Sequence, residues 1–324
     1  MTVAPSLYGP VQEDMALVEA VLDRIRRIEY EPLARMLDHV LGAGGKRVRP
    51  ALALLAGTFH DYNLDLLIPL AASIEVLHTA TLVHDDVIDG AATRRGRATA
   101  NALFNNAPSV FLGDYLFAHA AELIARTGNI RVIRLFSRTL MRMATGELDQ
   151  DVSAFDTTKR VGDYLQRIGG KTASLLGTAT EGGAIVSGAP EPWVEALRDY
   201  GFNLGMAFQI VDDILDFTGD EAAMGKPVGS DLKEGTLTLP SLYLLEDDPS
   251  PRNPIRRLFA ARRNRERLLA EAVAAVRAST ALERAMAMAR EFGDRALAAL
   301  EPLPRTEARH TLERLVAYVL ERSS

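Results

Sequence analysis

The sequence predicts an all-α fold, a single large domain spanning residues 1–324. Three observations lead there. Apolar residues recur at helical spacing along most of the chain. The residues filling those stretches are dominated by Ala, Leu, Arg and Glu, which favour helix. No convincing run of alternating β-branched residues interrupts them. With 324 residues and 48% hydrophobic content, the chain can bury a large core.

The helical segments follow in order. MALVEAVLDRI (15–25) opens the series, and LIPLAASIEVLHTATLVHDDVID (67–89) is the most apolar. VFLGDYLFAHAAELIAR (110–126) and VIRLFSRTLMRMATGELDQ (132–150) come next. YLQRIGGKTASLLGTATEGGAIVSG (164–188) and PWVEALRDYGFNLGMAFQIVDDILDFTG (192–219) read as two further long helices. The last third continues with RERLLAEAVAAVRAST, ALERAMAMAREFGDRALAAL and RTEARHTLERLVAYVLER, for about a dozen helices in all. Between them, GAGGKRVRP (42–50), GAATRRGRAT (90–99), GDEAAMGKPVGSDLKEGTLTLP (219–240) and EDDPSPRNP (246–254) read as nonhelical, because Gly and Pro punctuate them. The third is long for a compact domain, which points to function.

Several function classes drop out. A net charge of −6 argues against nonspecific nucleic-acid binding. The absence of cysteine excludes disulfides, thiolate metal sites and thiol nucleophiles. The N-terminal stretch lacks the basic and apolar regions of a signal peptide, and no apolar run reaches the ~18 residues of a bilayer span. The expectation is a soluble cytoplasmic protein with no membrane anchor.

One acidic pattern occurs twice. Asp85, Asp86 and Asp89 lie in LVHDDVID, and Asp212, Asp213 and Asp216 lie in FQIVDDILDF. Positions i, i+1 and i+4 share one side of a helix, so each copy presents its carboxylates together. One copy alone would equally suit a solvated acidic face. Two copies in apolar surroundings demand compensation, because burying a charge is costly. Hard cations such as Mg2+ take one or two carboxylates plus substrate phosphates. Basic residues follow: Arg94 and Arg95 after the first copy, Lys226 after the second, and Lys46, Arg47 and Arg49 in GGKRVRP. Arginine matches phosphate oxygens in pairs, and lysine supplies a point charge. Such a set can hold two diphosphates.

The blocks GGKRVRP, LHTATLVHDDVIDGAATRRG, GDYLF, GELDQ, YLQRIGGKTASL, FQIVDDILDFTGD and GKPVGSDLKEGTLTLP, in this order, resemble the trans-type polyprenyl diphosphate synthases of the isoprenoid synthase superfamily. The resemblance covers nearly the whole chain. It implies a helical bundle of that type around a central catalytic cavity, and a homodimer. It implies three Mg2+ ions, with Asp85, Asp89 and Asp212 as ligands, and Asp86, Asp213, Asp216 and Lys171 completing the catalytic set. Arg94, Lys171 and Lys226 would contact the allylic diphosphate. Lys46, Arg49, His78 and Arg95 would hold isopentenyl diphosphate. Thr172 and Gln209 would line the path of the reacting carbons. His78 stands seven residues before Asp85, two turns back on the same face. His84 reads as structural, His60, His119 and His310 have no context that singles them out, and Trp193 reads as packing. One departure from the family pattern is Gly235-Thr236, where many relatives have Gly-Lys.

Product length would be gated one or more turns before Asp85. Ala80 and Thr81 are small there, and Leu77, Ile74 and Ser73 bring no aromatic ring. Short-chain members of the family often have bulky aromatics at that place. The reading is therefore a product of about thirty to fifty carbons, with Phe136 or a neighbour as a tunnel floor. The alternatives are a geranylgeranyl or farnesyl diphosphate synthase with a shorter tunnel, and a subunit of a hetero-oligomeric prenyl synthase. A terpene cyclase would lack the GGKRVRP and RRG sites.

Overall fold

The computed structural model describes residues 7–94, 96–219 and 227–322. Its helices are α1 (Met15–Arg26), α2 (Glu31–Leu41), α3 (Val48–Gly57), α4 (Leu64–Ile88), α5 (Ala100–Phe104), α6 (Asn106–Ala125), α7 (Ile130–Val152) and α8 (Val161–Ile168). A π-helical turn at Gly169–Ala173 leads into α9 (Ser174–Val186) and α10 (Glu191–Thr218). There follow α11 (Ser230–Glu234), α12 (Leu239–Asp247), α13 (Pro254–Ala260), α14 (Arg265–Ala278), α15 (Ala281–Ala299) and α16 (Glu307–Glu321). The sheet found among the described residues is one antiparallel pair, β1 (Thr93–Arg94) and β2 (Arg97–Ala98), with Arg94 opposite Arg97. The all-α expectation holds.

The backbone groups into two compact units. The first comprises Met1–Arg138, Leu175–Gly201 and Ala299–Leu315. The second comprises Thr139–Ser174, Phe202–Ala298 and Val316–Ser324. Helices α7, α10 and α16 contribute residues to both, as do α9 and α15 by one terminal residue each, Ser174 and Ala299.

In the first unit α4 is the central rod. Asn63 caps its start by accepting the Asp65 N–H at 3.0 Å. It packs on α6, α3 and α1, and from Leu67 to Leu77 it is buried nearly all round. An 18-residue window of α4 has mean hydropathy 1.7, enough by length and composition to cross a bilayer. This corrects the expectation that no stretch reaches that length. Two thirds of the window, 67%, is buried inside the protein, as befits a core helix. Helix α6 can approach closely because Gly113 faces His84: a Cβ there would stand 2.1 Å from the imidazole Nε2. The same ring meets the Val110 carbonyl at 3.0 Å and packs edge-on against Phe117.

In the second unit α8 packs on α12, and α13 on α14. The predicted helix over 164–188 is broken by the π turn. Its Gly169-Gly170 pair is a weak helix former, and a Cβ on Gly170 would lie 3.1 Å from the Arg142 carbonyl of α7. The extra residue of a π turn lets the backbone pass that close. Within 219–240, a helix too short to leave a period appears as α11, and α12 begins at Leu239 behind Thr238, whose N–H donates to Ser241 Oγ at 2.8 Å. Within 42–50, α3 already starts at Val48, with Pro50 in its first turn, where a missing N–H costs little.

Candidate active site

In the first unit the three aspartates sit at the C-terminal end of α4, where the helix dipole is negative and carboxylates are disfavoured without a cation nearby. Asp86 is buried and accepts a 2.7 Å bond from Arg94 Nε. Burial pushes its carboxyl above the usual range, and Arg94 pulls it partly back. Asp85 is half-buried and Asp89 exposed. The chain turns away at Gly90 (φ 60°) into the hairpin that presents Arg94. Thr99 locks the hairpin's end by donating to the Ala91 carbonyl at 2.6 Å.

The GGKRVRP loop belongs to the same unit. Gly44 (φ 68°) and Arg47 (φ 45°) take left-handed backbone, which costs a non-glycine residue about 1–2 kcal/mol. Arg47 points inward. Its guanidinium donates to Glu19 and Glu75 at 2.7 Å each, and to the Leu41 carbonyl at 3.1 Å. Lys46 is exposed, and Arg49 and His78 are half-buried. Ala80 is fully buried; Thr81 is half-buried and donates its hydroxyl to the His78 carbonyl at 2.8 Å. Phe136 on α7 is buried.

In the second unit α10 carries Gln209, Asp212, Asp213 and Asp216. Asp213 is buried, and both its oxygens are occupied: Tyr164 Oη donates to Oδ2 at 2.7 Å, and Gln209 Nε2 to Oδ1 at 2.8 Å. Burial pushes its carboxyl up to about 6, against the pull of those two hydrogen bonds. The same burial, with Asp213 alongside, pushes the Tyr164 phenol well up. Gln209 Oε1 in turn accepts from Thr172 Oγ1 at 2.8 Å. Asp216 is fully buried and fastens the start of α11, accepting from Ser230 Oγ at 2.7 Å and the Asp231 N–H at 3.3 Å. Asp212 alone of the three stays half-exposed; Arg322 donates to its Oδ1 at 2.5 Å and stacks on the Phe208 ring at 3.9 Å. Lys171, on the π turn, pairs with Glu147 Oε2 at 2.7 Å and Gln150 Oε1 at 3.2 Å.

Among the predicted residues the direct contacts are Arg94 with Asp86 and the Thr81 hydroxyl with the His78 carbonyl in the first unit, and Thr172 with Gln209 and Gln209 with Asp213 in the second. Arg95 and Lys226 lie outside the described residues. Thr236, in the place of the family's lysine, is half-buried, and its N–H donates to the Asp231 carbonyl at 2.8 Å. Tyr164, Arg322, Glu147, Gln150 and the Arg47–Glu75 pair were not singled out from sequence. Glu147 and Gln150 stand in the GELDQ block and Tyr164 heads YLQRIGGKTASL; Arg322 has no local signal.

The fold and this geometry agree with the comparisons. A family model described as "Polyprenyl synthetase" matches residues 30–276. The chain belongs to the polyprenyl synthetase family. This synthetase is 41% identical over 321 residues, 98% of each chain, to heptaprenyl diphosphate synthase component 2 of Geobacillus stearothermophilus. Among solved structures it is similar to a decaprenyl diphosphate synthase from Rhodobacter capsulatus, at TM-score 0.90 and 40% identity over 98% of each chain. It is also similar to a polyprenyl synthase from Caulobacter crescentus complexed with calcium and isoprenyl diphosphate, at TM-score 0.92 and 35% identity, covering 97% of this chain and 96% of that one.

The donor set of the synthetase, all carboxylate oxygen, suits a hard divalent cation. No cluster of three or more potential ligand side chains occurs among the described residues, so no all-protein cage is present. Each acidic motif instead keeps one or two carboxylates unburied and anchors the rest. Mg2+ is held in that way, by one or two carboxylates with phosphate oxygens and water completing the shell.

Proposed function

We propose that this synthetase condenses isopentenyl diphosphate with an allylic diphosphate, starting from a farnesyl or geranylgeranyl primer, to give an all-trans polyprenyl diphosphate of C30–C50. The observation that supports this most is the division of labour within each acidic motif. Asp86, Asp213 and Asp216 are buried, while Asp85, Asp89 and Asp212 keep part of their surface exposed.

In this reading Asp85, Asp89 and Asp212 hold three Mg2+ ions with the allylic diphosphate. Bound Mg2+ supplies Lewis-acid neutralisation of the charge gathering on the departing diphosphate. Arg94, Lys171 and Lys226 add fixed positive charge aimed at the same oxygens. The allylic carbon–oxygen bond breaks with its electron pair going to diphosphate. Lys46, Arg49, His78 and Arg95 hold isopentenyl diphosphate so that its double bond attacks the allylic carbon, replacing a chance encounter by a near-unimolecular step. Thr172 and Gln209 offer dipoles to the developing cation. The released diphosphate accepts the proton that is then lost. The chain acts as one catalytic domain, as a cytoplasmic homodimer. Small residues at Ala80 and Thr81 leave room for a long tail.

The test is the product made by the purified protein alone from Mg2+, isopentenyl diphosphate and farnesyl diphosphate, resolved by mass after dephosphorylation. A ladder ending between six and ten isoprene units is expected. A stop at geranylgeranyl diphosphate would replace the long-chain reading by the short-chain one. No product at all would mean that a second subunit is required. Asp85→Ala and Asp212→Ala should each cut turnover by a factor on the order of 1,000 while leaving the fold intact.

A further inference from the structure

Arg47 stands between Lys46 and Arg49 in GGKRVRP, and its side chain runs into the protein. It is the N-cap residue of α3 and holds left-handed backbone, φ 45° and ψ 37°. Only 10% of its side chain is exposed. The guanidinium joins three elements: Glu19 of α1, the Leu41 carbonyl at the end of α2, and Glu75 of α4. Glu75 is itself buried, with 8% of its side chain exposed, and its second oxygen, Oε2, has no hydrogen-bond partner. Glu75 precedes His78 by three residues, so the two lie one turn apart on the same side of α4. A carboxylate this buried is stable only with its cation in place.

We propose that Arg47 is a positioning residue for isopentenyl diphosphate: its ion pair with Glu75 clasps the GGKRVRP loop to α4 and sets Lys46 and Arg49 in register with His78. The inference rests on the reading of those three residues as ligands of that diphosphate. Arg47 itself does not touch the substrate, because its donors are turned into the protein. The left-handed backbone turn at residue 47 goes with a side chain directed into the protein. The fork of hydrogen bonds maintains that turn against its intrinsic cost. Lysine has one compact charge on a flexible stem and cannot reproduce the fork.

A double-mutant cycle with Arg47→Met, Glu75→Gln and the double variant tests the clasp, with steady-state constants for both substrates. Arg47→Met should raise KM for isopentenyl diphosphate about tenfold or more and leave KM for farnesyl diphosphate within about threefold. The double variant should be no worse than Arg47→Met, because one interaction is lost only once. Arg47→Lys keeps the charge and the fold, and should give an intermediate rise of about threefold. Equal rises in both KM values, or additive effects in the cycle, would overturn the clasp. Lys46→Ala and Arg49→Ala are measured in parallel. If neither raises KM for isopentenyl diphosphate, the ligand reading of the loop falls and the clasp falls with it. If both do and Arg47→Met and Arg47→Lys do not, the clasp alone is wrong.

Discussion

The Tyr164 hydroxyl donates to Asp213 Oδ2 at 2.7 Å, at a carboxylate whose other oxygen is held by Gln209. With Tyr164 on Oδ2, Asp213 turns Oδ1 to accept from the Gln209 nitrogen, which leaves the Gln209 oxygen toward Thr172 and commits the Thr172 hydroxyl hydrogen. Tyr164→Phe removes one bond to a buried charge. We expect a loss of about 1–3 kcal/mol in stability and a fall in kcat of about tenfold with both KM values near wild type. Thermal unfolding and steady-state kinetics check this; an unchanged kcat would mean that Thr172 needs no such orientation.

Asp213 also predicts a pH dependence. Its carboxyl is pushed up to about 6 in the folded protein, against about 3.9 when unfolded. A raised carboxyl favours the folded state below the unfolded value, and that contribution disappears as pH rises through about 6. Metal-free wild type should therefore lose about 2–3 kcal/mol relative to Asp213→Asn between pH 4 and pH 7. Denaturant unfolding across that range gives the difference directly, and a flat difference would show that Asp213 is not strained by burial.

Arg322 occupies Asp212, one of the proposed metal ligands. A metal ion there must share or displace the guanidinium. Arg322→Ala should tighten Mg2+ binding several-fold in calorimetric titrations of the protein with inorganic diphosphate present. Weaker binding would assign Arg322 the opposite task, holding the carboxylate ready.

A Cβ at Gly205 on α10 would come within 2.6 Å of the Ala173 Cα at the end of the π turn. The obstacle is backbone, which cannot swing aside. Gly205→Ala should cost about 1–3 kcal/mol and depress turnover by shifting Lys171 and Thr172. Gly162 in α8 meets nothing within 4 Å, so Gly162→Ala should be neutral or slightly stabilising. Equal unfolding midpoints for the two variants would contradict the close packing of α10 on the turn.

Thr81 is the better place to shorten the product. Ala80 is fully buried, and a ring there would overpack the core, whereas Thr81 is half-buried. Thr81→Phe should move the end of the product ladder down by at least one isoprene unit while the protein still folds. An unchanged ladder would mean that this wall of α4 does not limit length.

Much of this could be read from the chain. The helical period located the long helices, and two repeated acidic patterns located the carboxylates. What periodicity could not give was the break at Gly169–Ala173, since a π turn inserts a residue without ending the apolar pattern. Nor could it separate accessible from buried aspartates, because that depends on partners far along the chain: Tyr164 is 49 residues from Asp213, and Arg322 is 110 from Asp212. Arg47 sits between two basic residues proposed to bind substrate, Lys46 and Arg49, and would pass for one of them. Only its left-handed backbone and inward contacts set it apart.

Helix α4 has one more implication, for biosynthesis. It is made after α1 and α3 but before α6, which covers another of its sides. A chain in which α6 has not yet docked leaves α4 with an incomplete cover, so its apolar surface stays open to water and to other chains until α6 closes over it.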